Sequence, residues 1–174
     1  MAAGASGPGH IALRPARRDD VPQILAFIRE LGEYERLAHE VVANEATLAD
    51  SLFGARPGAE VVIAEANGRA AGFALFFHSF STFLGRRGLY LEDLYVRAEF
   101  RGQGIGRRLM AHLAAIAVER GCGRFEWSVL DWNAPAIGFY RDIGAMGMDG
   151  WTVQRLDGEA LRRLAASDPE GANV

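Results

Sequence analysis

The sequence predicts an α/β fold, and three observations carry that prediction. Stretches of strand-like alternation and stretches of helical spacing are interspersed along the chain rather than grouped into blocks. Asn67-Gly68 sits between VVIAEA and RAAGFALFF and supplies the positive φ values of a type I′ turn, so these two runs read as a β-hairpin. The 174 residues, 49% hydrophobic and 24% charged, suffice for one buried core, and no repeat, linker or second compositional regime divides them.

The elements follow in order. Residues 1–9 are small and glycine-rich and read as a disordered tail, residues 10–166 as a single domain, and residues 167–174 as a C-terminal tail. IALRPA reads as a short strand. Asp19 and Asp20 are N-cap candidates for a helix over VPQILAFIRELGEYE, with Pro22 acceptable in its first turn. Ile24, Phe27, Ile28 and Leu31 supply its buried stripe. A second helix spans about Glu45 to Phe53 and stops near Gly54. After the hairpin, SFSTFLGRRG reads as a loop into the strand LYLEDLYV. A long helix, a strand (RFEWSVL), a shorter helix (APAIGFYRDI) and a final strand (WTVQRL) complete the chain.

Composition removes several function classes. A formal net charge of -3 gives no electrostatic case for nucleic acid. The single cysteine, Cys122, rules out an internal disulfide and any multi-cysteine metal site, and no metal is expected. The opening MAAGASGPGH has no apolar core of a signal peptide, and no apolar run, FALFF among them, is long enough to span a bilayer; a cytoplasmic protein without membrane contact is expected. All 19 basic residues are arginine.

The chemistry is concentrated in LYLEDLYVRAEFRGQGIGRRL, a strand, a glycine-rich turn and a helix start. Alternation places Leu89, Leu91, Asp93 and Tyr95 on one face and Tyr90, Glu92, Leu94 and Val96 on the other. A regular strand therefore aims only one of the adjacent acids at a substrate. The turn is neither of the familiar nucleotide grips. A P-loop needs a lysine, and GxGxxG needs glycine where Arg107 stands. Its physics still suits a pyrophosphate: glycines permit close approach, and the first helical N–H groups and the helix dipole favour an anion. Arg101 and Arg107 are able to add charge-assisted bonds. A tight strand-to-helix turn bearing surface arginines is the competing reading.

RGQGIG matches the Arg/Gln-x-x-Gly-x-Gly/Ala signature of the GCN5-related N-acetyltransferase superfamily. IALRPARRDD, ELGEYERL, GFALFF, LYLEDLYV, DWNAPAIGFYRDIGA and the last strand, in that order, resemble its diamine (spermidine/spermine- or thialysine-type) acetyltransferase branch over about residues 11–165. The resemblance implies a mixed, mostly antiparallel central sheet flanked by helices and splayed at an acetyl-CoA site. It also implies transfer of acetyl from acetyl-CoA to a primary amine of a small cationic substrate, and a homodimer. A catalytically weak acetyl-CoA sensor and an enzyme acting on a protein amine are the alternatives.

By the same resemblance, the backbone of Leu94, Tyr95 and Val96 pairs with the cofactor's pantetheine arm. The pyrophosphate sits on Gly102, Gln103, Gly104, Ile105 and Gly106, edged by Arg101 and Arg107, and Asn133 helps to hold the cofactor. Read from the residues alone, Asn133 is equally a helix N-cap before Pro135. Tyr140 matches the tyrosine that protonates the departing thiolate, against a packing role beside Ile137, Phe139 and Ile143. Glu92 matches the acid that orients the ammonium and receives its proton, directly or through water. Tyr34 and Glu35 resemble substrate-binding positions, and with Glu30, Glu33 and Glu40 they form an acidic segment suited to a cation, with a solvated helix end as the competing reading. Spermidine-acetylating members carry an acidic, tryptophan-bearing loop before LYLED, where this chain has Ser81-Thr82-Phe83-Leu84 and then Arg86 and Arg87. Arginines facing the site would weaken attraction for a long polycation, which favours a small diamine or a lysine analogue such as thialysine.

Overall fold

The computed structural model describes residues 10–167. The predicted tail over residues 1–9 and most of the C-terminal tail lie outside them. The described residues form two compact units, 10–128 and 129–167.

The first unit is built on five strands in sequential order: β1 (Ile11–Pro15), β2 (Glu60–Ala66), β3 (Arg69–Ser81), β4 (Arg86–Val96) and β5 (Phe125–Trp127). The first four are mutually antiparallel and β5 runs parallel to β4, the mixed α/β arrangement expected. Helices α1 (Val21–Tyr34) and α2 (Glu45–Phe53) precede β2, and α3 (Ile105–Glu119) links β4 to β5. Asn67 and Gly68 take φ values of 51° and 75°, as a type I′ hairpin turn requires. Asn44 caps α2, its side chain accepting from the Thr47 N–H at 3.0 Å, and Gly54 ends it.

Both sheet faces are buried. Ile24 and Phe27 of α1 and Leu52 of α2 pack on Val61, Ile63, Phe73 and Leu75, and the Phe27 and Phe73 rings stack at 5.3 Å. Each such side chain, fully buried, contributes about 1.5–3 kcal/mol. The alternate residues Val62, Ala64, Ala74 and Phe76 are buried as well, and α3, with buried Ile105, Leu109 and Leu113, packs against β2, β3 and β4. The strands therefore read as nearly continuous apolar runs.

Three expectations need correction. The segment SFSTFLGRRG is mostly sheet: β3 continues to Ser81, β4 begins at Arg86, and only residues 82–85 turn. Pairing of Phe80 with Arg87 and Ser81 with Arg86 satisfies backbone groups that polar side chains gave no periodic sign of. Asp20 stands at the N-cap of α1 but makes no side-chain cap; its carboxylate takes the Arg14 guanidinium at 2.7 and 2.8 Å and the Arg17 N–H at 2.7 Å. Arg14 holds that carboxyl below its ordinary range.

The third correction falls in the second unit, which consists of α4 (Ala134–Asp142) and α5 (Gly158–Ala165). Residues 151–156, predicted as a final strand, form none among the described residues, and Trp151 and Val153 are 77% and 81% exposed. Alternation provides strand propensity, but a strand needs an edge to bond to. The helix α5 had no sequence expectation.

Candidate active site

The site region begins with an irregularity in β4. Asp93 lies opposite Leu75 and Leu91 opposite Phe76, so Glu92 is an extra residue, a β-bulge. The premise of a regular strand fails here, and strict alternation of the two acids fails with it. Glu92 is exposed and Asp93 is half-buried. Burial first, then the charges of Glu92 and Glu35, push the Asp93 carboxyl up to about 6. Glu35, at the C-cap of α1, is also raised by burial. Three acids from two elements thus crowd one corner, and Asp93 is the one whose protonation is poised near neutral pH.

The other edge of β4 opens at the same point. β5 pairs only with Leu89, Tyr90 and Leu91, and among the described residues no strand lies against residues 92–96 on that side. Leu94, Tyr95 and Val96 pair with Ala74, Phe73 and Gly72 of β3. An antiparallel strand with one neighbour keeps every second pair of backbone groups available, which suits an amide-bearing arm laid along it.

The glycine turn follows. Gly102 and Gly104 have φ values of 74° and 79°, left-handed conformations that glycine adopts without strain. Added Cβ atoms at Gly102, Gly104 or Gly106 would meet nothing within 4 Å. Gly104 N-caps α3 with no side-chain cap, and no acid lies in the first turn. Ile105 is buried and anchors the helix start, while Gln103 donates to the Glu99 carbonyl at 3.4 Å. Open space over uncapped helical N–H groups fits a pyrophosphate. Arg107 is exposed. Arg101 reaches back from the turn: its Nε donates to the Val96 carbonyl at 2.9 Å and its guanidinium lies 4.8 Å from the Tyr34 ring centroid.

The acidic segment is less free than its composition suggests. Glu30 is gripped by Arg97 at 2.7 and 3.0 Å, and Arg97 also bonds the Ala70 carbonyl and covers the Phe27 ring. Glu30 therefore ties α1 to the end of β4 and is not a free acid for a substrate. Glu40 pairs with His39 at 3.3 Å, and Glu33 is exposed. Arg86 and Arg87 stand at the far end of β4; at about 3.3 Å per residue they are roughly 17–20 Å from Glu92 along the strand. Their repulsion of a polycation within one chain is correspondingly weak.

In the second unit, Asn133 is buried and N-caps α4, its Oδ1 accepting from the Ala136 N–H at 3.3 Å. Tyr140 lies on the same helix, half-buried, its ring 5.3 Å from that of Phe139. Sequence reasoning named Asp93 but did not choose it, and it missed the Arg97–Glu30 and Arg101–Tyr34 contacts. The strand irregularity carried no local sign, and the contact partners are 67 residues apart in each case.

An open strand edge beside an uncapped, glycine-rich helix start is suited to an amide-bearing arm that ends in a pyrophosphate. The chain belongs to the Acetyltransferase (GNAT) family, whose model matches residues 24–145, and it is an acetyl-CoA-dependent N-acetyltransferase. It is 39% identical over 166 residues to a thialysine N-epsilon-acetyltransferase of Sus scrofa, covering 89% of this chain and 97% of that protein. It is 32% identical over 197 residues to an L-ornithine N5-acetyltransferase of Arabidopsis thaliana, covering 87% and 86%. An integron cassette protein from the mobile metagenome of V. cholerae superposes with a TM-score of 0.76 at 29% identity, covering 90% of this chain and 98% of that one.

Proposed function

We propose that the protein acetylates the terminal amine of a small, lysine-like or ornithine-like cation, with Glu92, Asp93, Glu35 and Tyr34 forming the amine side of the site. The observation that carries the reading is the bulge at Glu92, which coincides with the point where β4 loses its second neighbour. Similarity to thialysine and ornithine acetyltransferases supports the substrate class.

An alkyl ammonium has a pKa near ~10.4, so at pH 7 about one molecule in ~2,500 is a free amine, a deficit of about 4.6 kcal/mol. Acids serve both to hold the cation and to take its proton. Glu92 receives that proton, directly or through one water, and Asp93, titrating near 6, adjusts the charge of the corner with pH. Acetyl-CoA supplies the acetyl group as a thioester. The amine nitrogen forms the new bond to the carbonyl carbon as the carbon–sulfur bond breaks, with no acyl-enzyme. Backbone N–H groups along residues 94–96 polarise the carbonyl. Leu94, Tyr95 and Val96 align the arm, residues 102–106 hold the pyrophosphate with Arg107 at its edge, and Asn133 adds a contact. Tyr140 protonates the leaving sulfur.

We also propose a homodimer. Support comes from apolar side chains exposed in the second unit, among them Trp151, Val153, Leu161 and Leu164, in and beside a stretch with strand alternation. A second copy of this chain would cover them.

A thiol-release screen with acetyl-CoA over lysine, thialysine, ornithine, short diamines and spermidine tests the function. The highest kcat/KM should fall on one of the first four; preference for spermidine, or no turnover of any amine, rejects the reading. Tyr140→Phe should lower kcat by roughly 10²-fold, the lower end for a lost general acid, because a thiol leaving group of pKa near ~8.5 is already tolerable. Unchanged kcat would remove Tyr140 from the chemistry. Light scattering on the eluted protein should give twice the 18.9 kDa chain mass; a monomer rejects the dimer.

A further inference from the structure

We propose that Arg101, the first residue of the glycine turn, is a positioning residue for the amine subsite rather than a phosphate ligand. The inference rests on the proposed function and deepens it.

Arg101 opens RGQGIG, where a phosphate partner is the obvious reading. The geometry points elsewhere. Nε is committed to the Val96 carbonyl at 2.9 Å, so the side chain is drawn to the end of β4. Its guanidinium lies 4.8 Å from the centroid of the Tyr34 ring and 5.8 Å from that of Tyr95. Tyr34 is the last residue of α1, and Glu35, beside it, is the α1 acid whose charge is felt at Asp93. Arg101 thus ties the end of the helix that carries Tyr34 and Glu35 to the strand end that carries the acid bulge.

The chain beyond Tyr34 makes this tie consequential. α1 stops at Tyr34, and Arg36 takes a positive φ of 62°, a conformation that a non-glycine residue adopts at a cost. The helix end therefore turns sharply next to the substrate corner, and the cation over Tyr34 fixes where that turn sits. One turn of helix earlier, Arg97 does the same for Glu30 while covering the Phe27 ring. Two arginines from the segment after β4 thus hold two successive turns of α1 through a planar cation over an aromatic ring. A planar guanidinium can lie flat on a ring while its Nε donates a directed bond; an ammonium, though able to approach a ring, has neither the plane nor the fixed fork.

Arg101→Lys keeps the charge but loses the flat stack and the directed Nε bond, whereas Arg101→Gln removes the charge that a phosphate ligand needs. In Arg101→Lys the KM for the best amine should rise about 5- to 10-fold, the partial loss of the flat stack and of the directed Nε bond. In Arg101→Gln the acetyl-CoA Kd by calorimetry should stay within about two-fold, because no phosphate contact is lost. Tyr34→Leu should raise the amine KM similarly, and the double variant should add little to either, the signature of one shared contact. Tyr34→Phe keeps the ring and should restore most of the wild-type KM.

Amide hydrogen exchange provides a readout that needs no turnover. Exchange over residues 33–37 should rise in Arg101→Lys while the rest of the sheet is unaltered. A weakened acetyl-CoA Kd in Arg101→Gln with unchanged exchange at 33–37 would make Arg101 a phosphate ligand and overturn the proposal, as would additive effects of Arg101→Lys and Tyr34→Leu. If the wild type acetylates none of the amines, the proposed function fails; the exchange and calorimetry results still decide whether Arg101 holds α1.

Discussion

From Leu89 to Leu91, β4 has β3 on one side and β5 on the other, and Leu89 and Leu91 are 0% and 2% exposed. From Glu92 to Val96 the same strand has β3 alone, carries a bulge, and no residue is fully buried. The first half saturates its backbone and packs its side chains, so it provides rigidity. The second half keeps backbone groups and acids available, which is what binding an amide-bearing arm and an ammonium demands. In the proposed function one strand therefore serves as scaffold and as site, and the bulge divides the two.

Substitutions on either side of that division should fail in different ways. The largest effect is expected just beyond the strand, at Gly104→Val, which forces a branched side chain to a φ of 79° and fills the space above the turn. Acetyl-CoA affinity by calorimetry should fall by about 10³-fold, the loss of roughly two charge-assisted bonds, with the circular dichroism spectrum retained. Unchanged affinity in the folded variant would remove the turn from the site.

Leu91→Ala probes the scaffold half. It should cost about 2–5 kcal/mol in urea unfolding, while turnover per folded molecule stays near wild type. A drop in kcat without a loss of stability would mean that the two halves are not separable.

Glu92→Gln probes the site half with nearly constant shape. It should lower kcat/KM for the amine by about 10²-fold and leave acetyl-CoA affinity and Tm unchanged. Equal turnover across the amine series would reassign the acid role, first to Asp93.

The smallest effect is a pH dependence. Asp93 titrates at about 6 in the folded chain, above the ordinary unfolded value near ~4. Between those values the native state holds a proton that the unfolded chain has lost, so stability falls as pH rises through that window. The penalty is complete above about pH 6 and absent below about pH 4. Asp93→Asn should therefore stabilise by about 1–2 kcal/mol at pH 7.5, less than the full shift because solvent reaches the half-buried group, and by nothing at pH 3.5. Equal stabilisation at both pH values would trace it to packing instead.

Local signals made much of this legible. Helical spacing in Ile24, Phe27 and Leu31 placed α1, and Asn67-Gly68 placed the hairpin, because both are dictated by residues a few positions apart. RGQGIG announced a glycine-rich turn into an uncapped helix start for the same reason: positive φ and uncapped N–H groups are properties of the segment itself. The final strand misled because WTVQRL has the alternation but not the hydrogen-bonding edge, which no local pattern encodes.

The chain's own residues thus determined the order of elements, the buried stripes and the glycine-rich turn, all set by short-range geometry. Only the tertiary structure decided that Glu92 bulges, that burial beside Glu35 and Glu92 raises Asp93, and that the Arg97 and Arg101 guanidiniums lie over aromatic rings of α1. Each depends on register or on a partner distant in sequence. Register and charge coupling are settled only when separate elements meet.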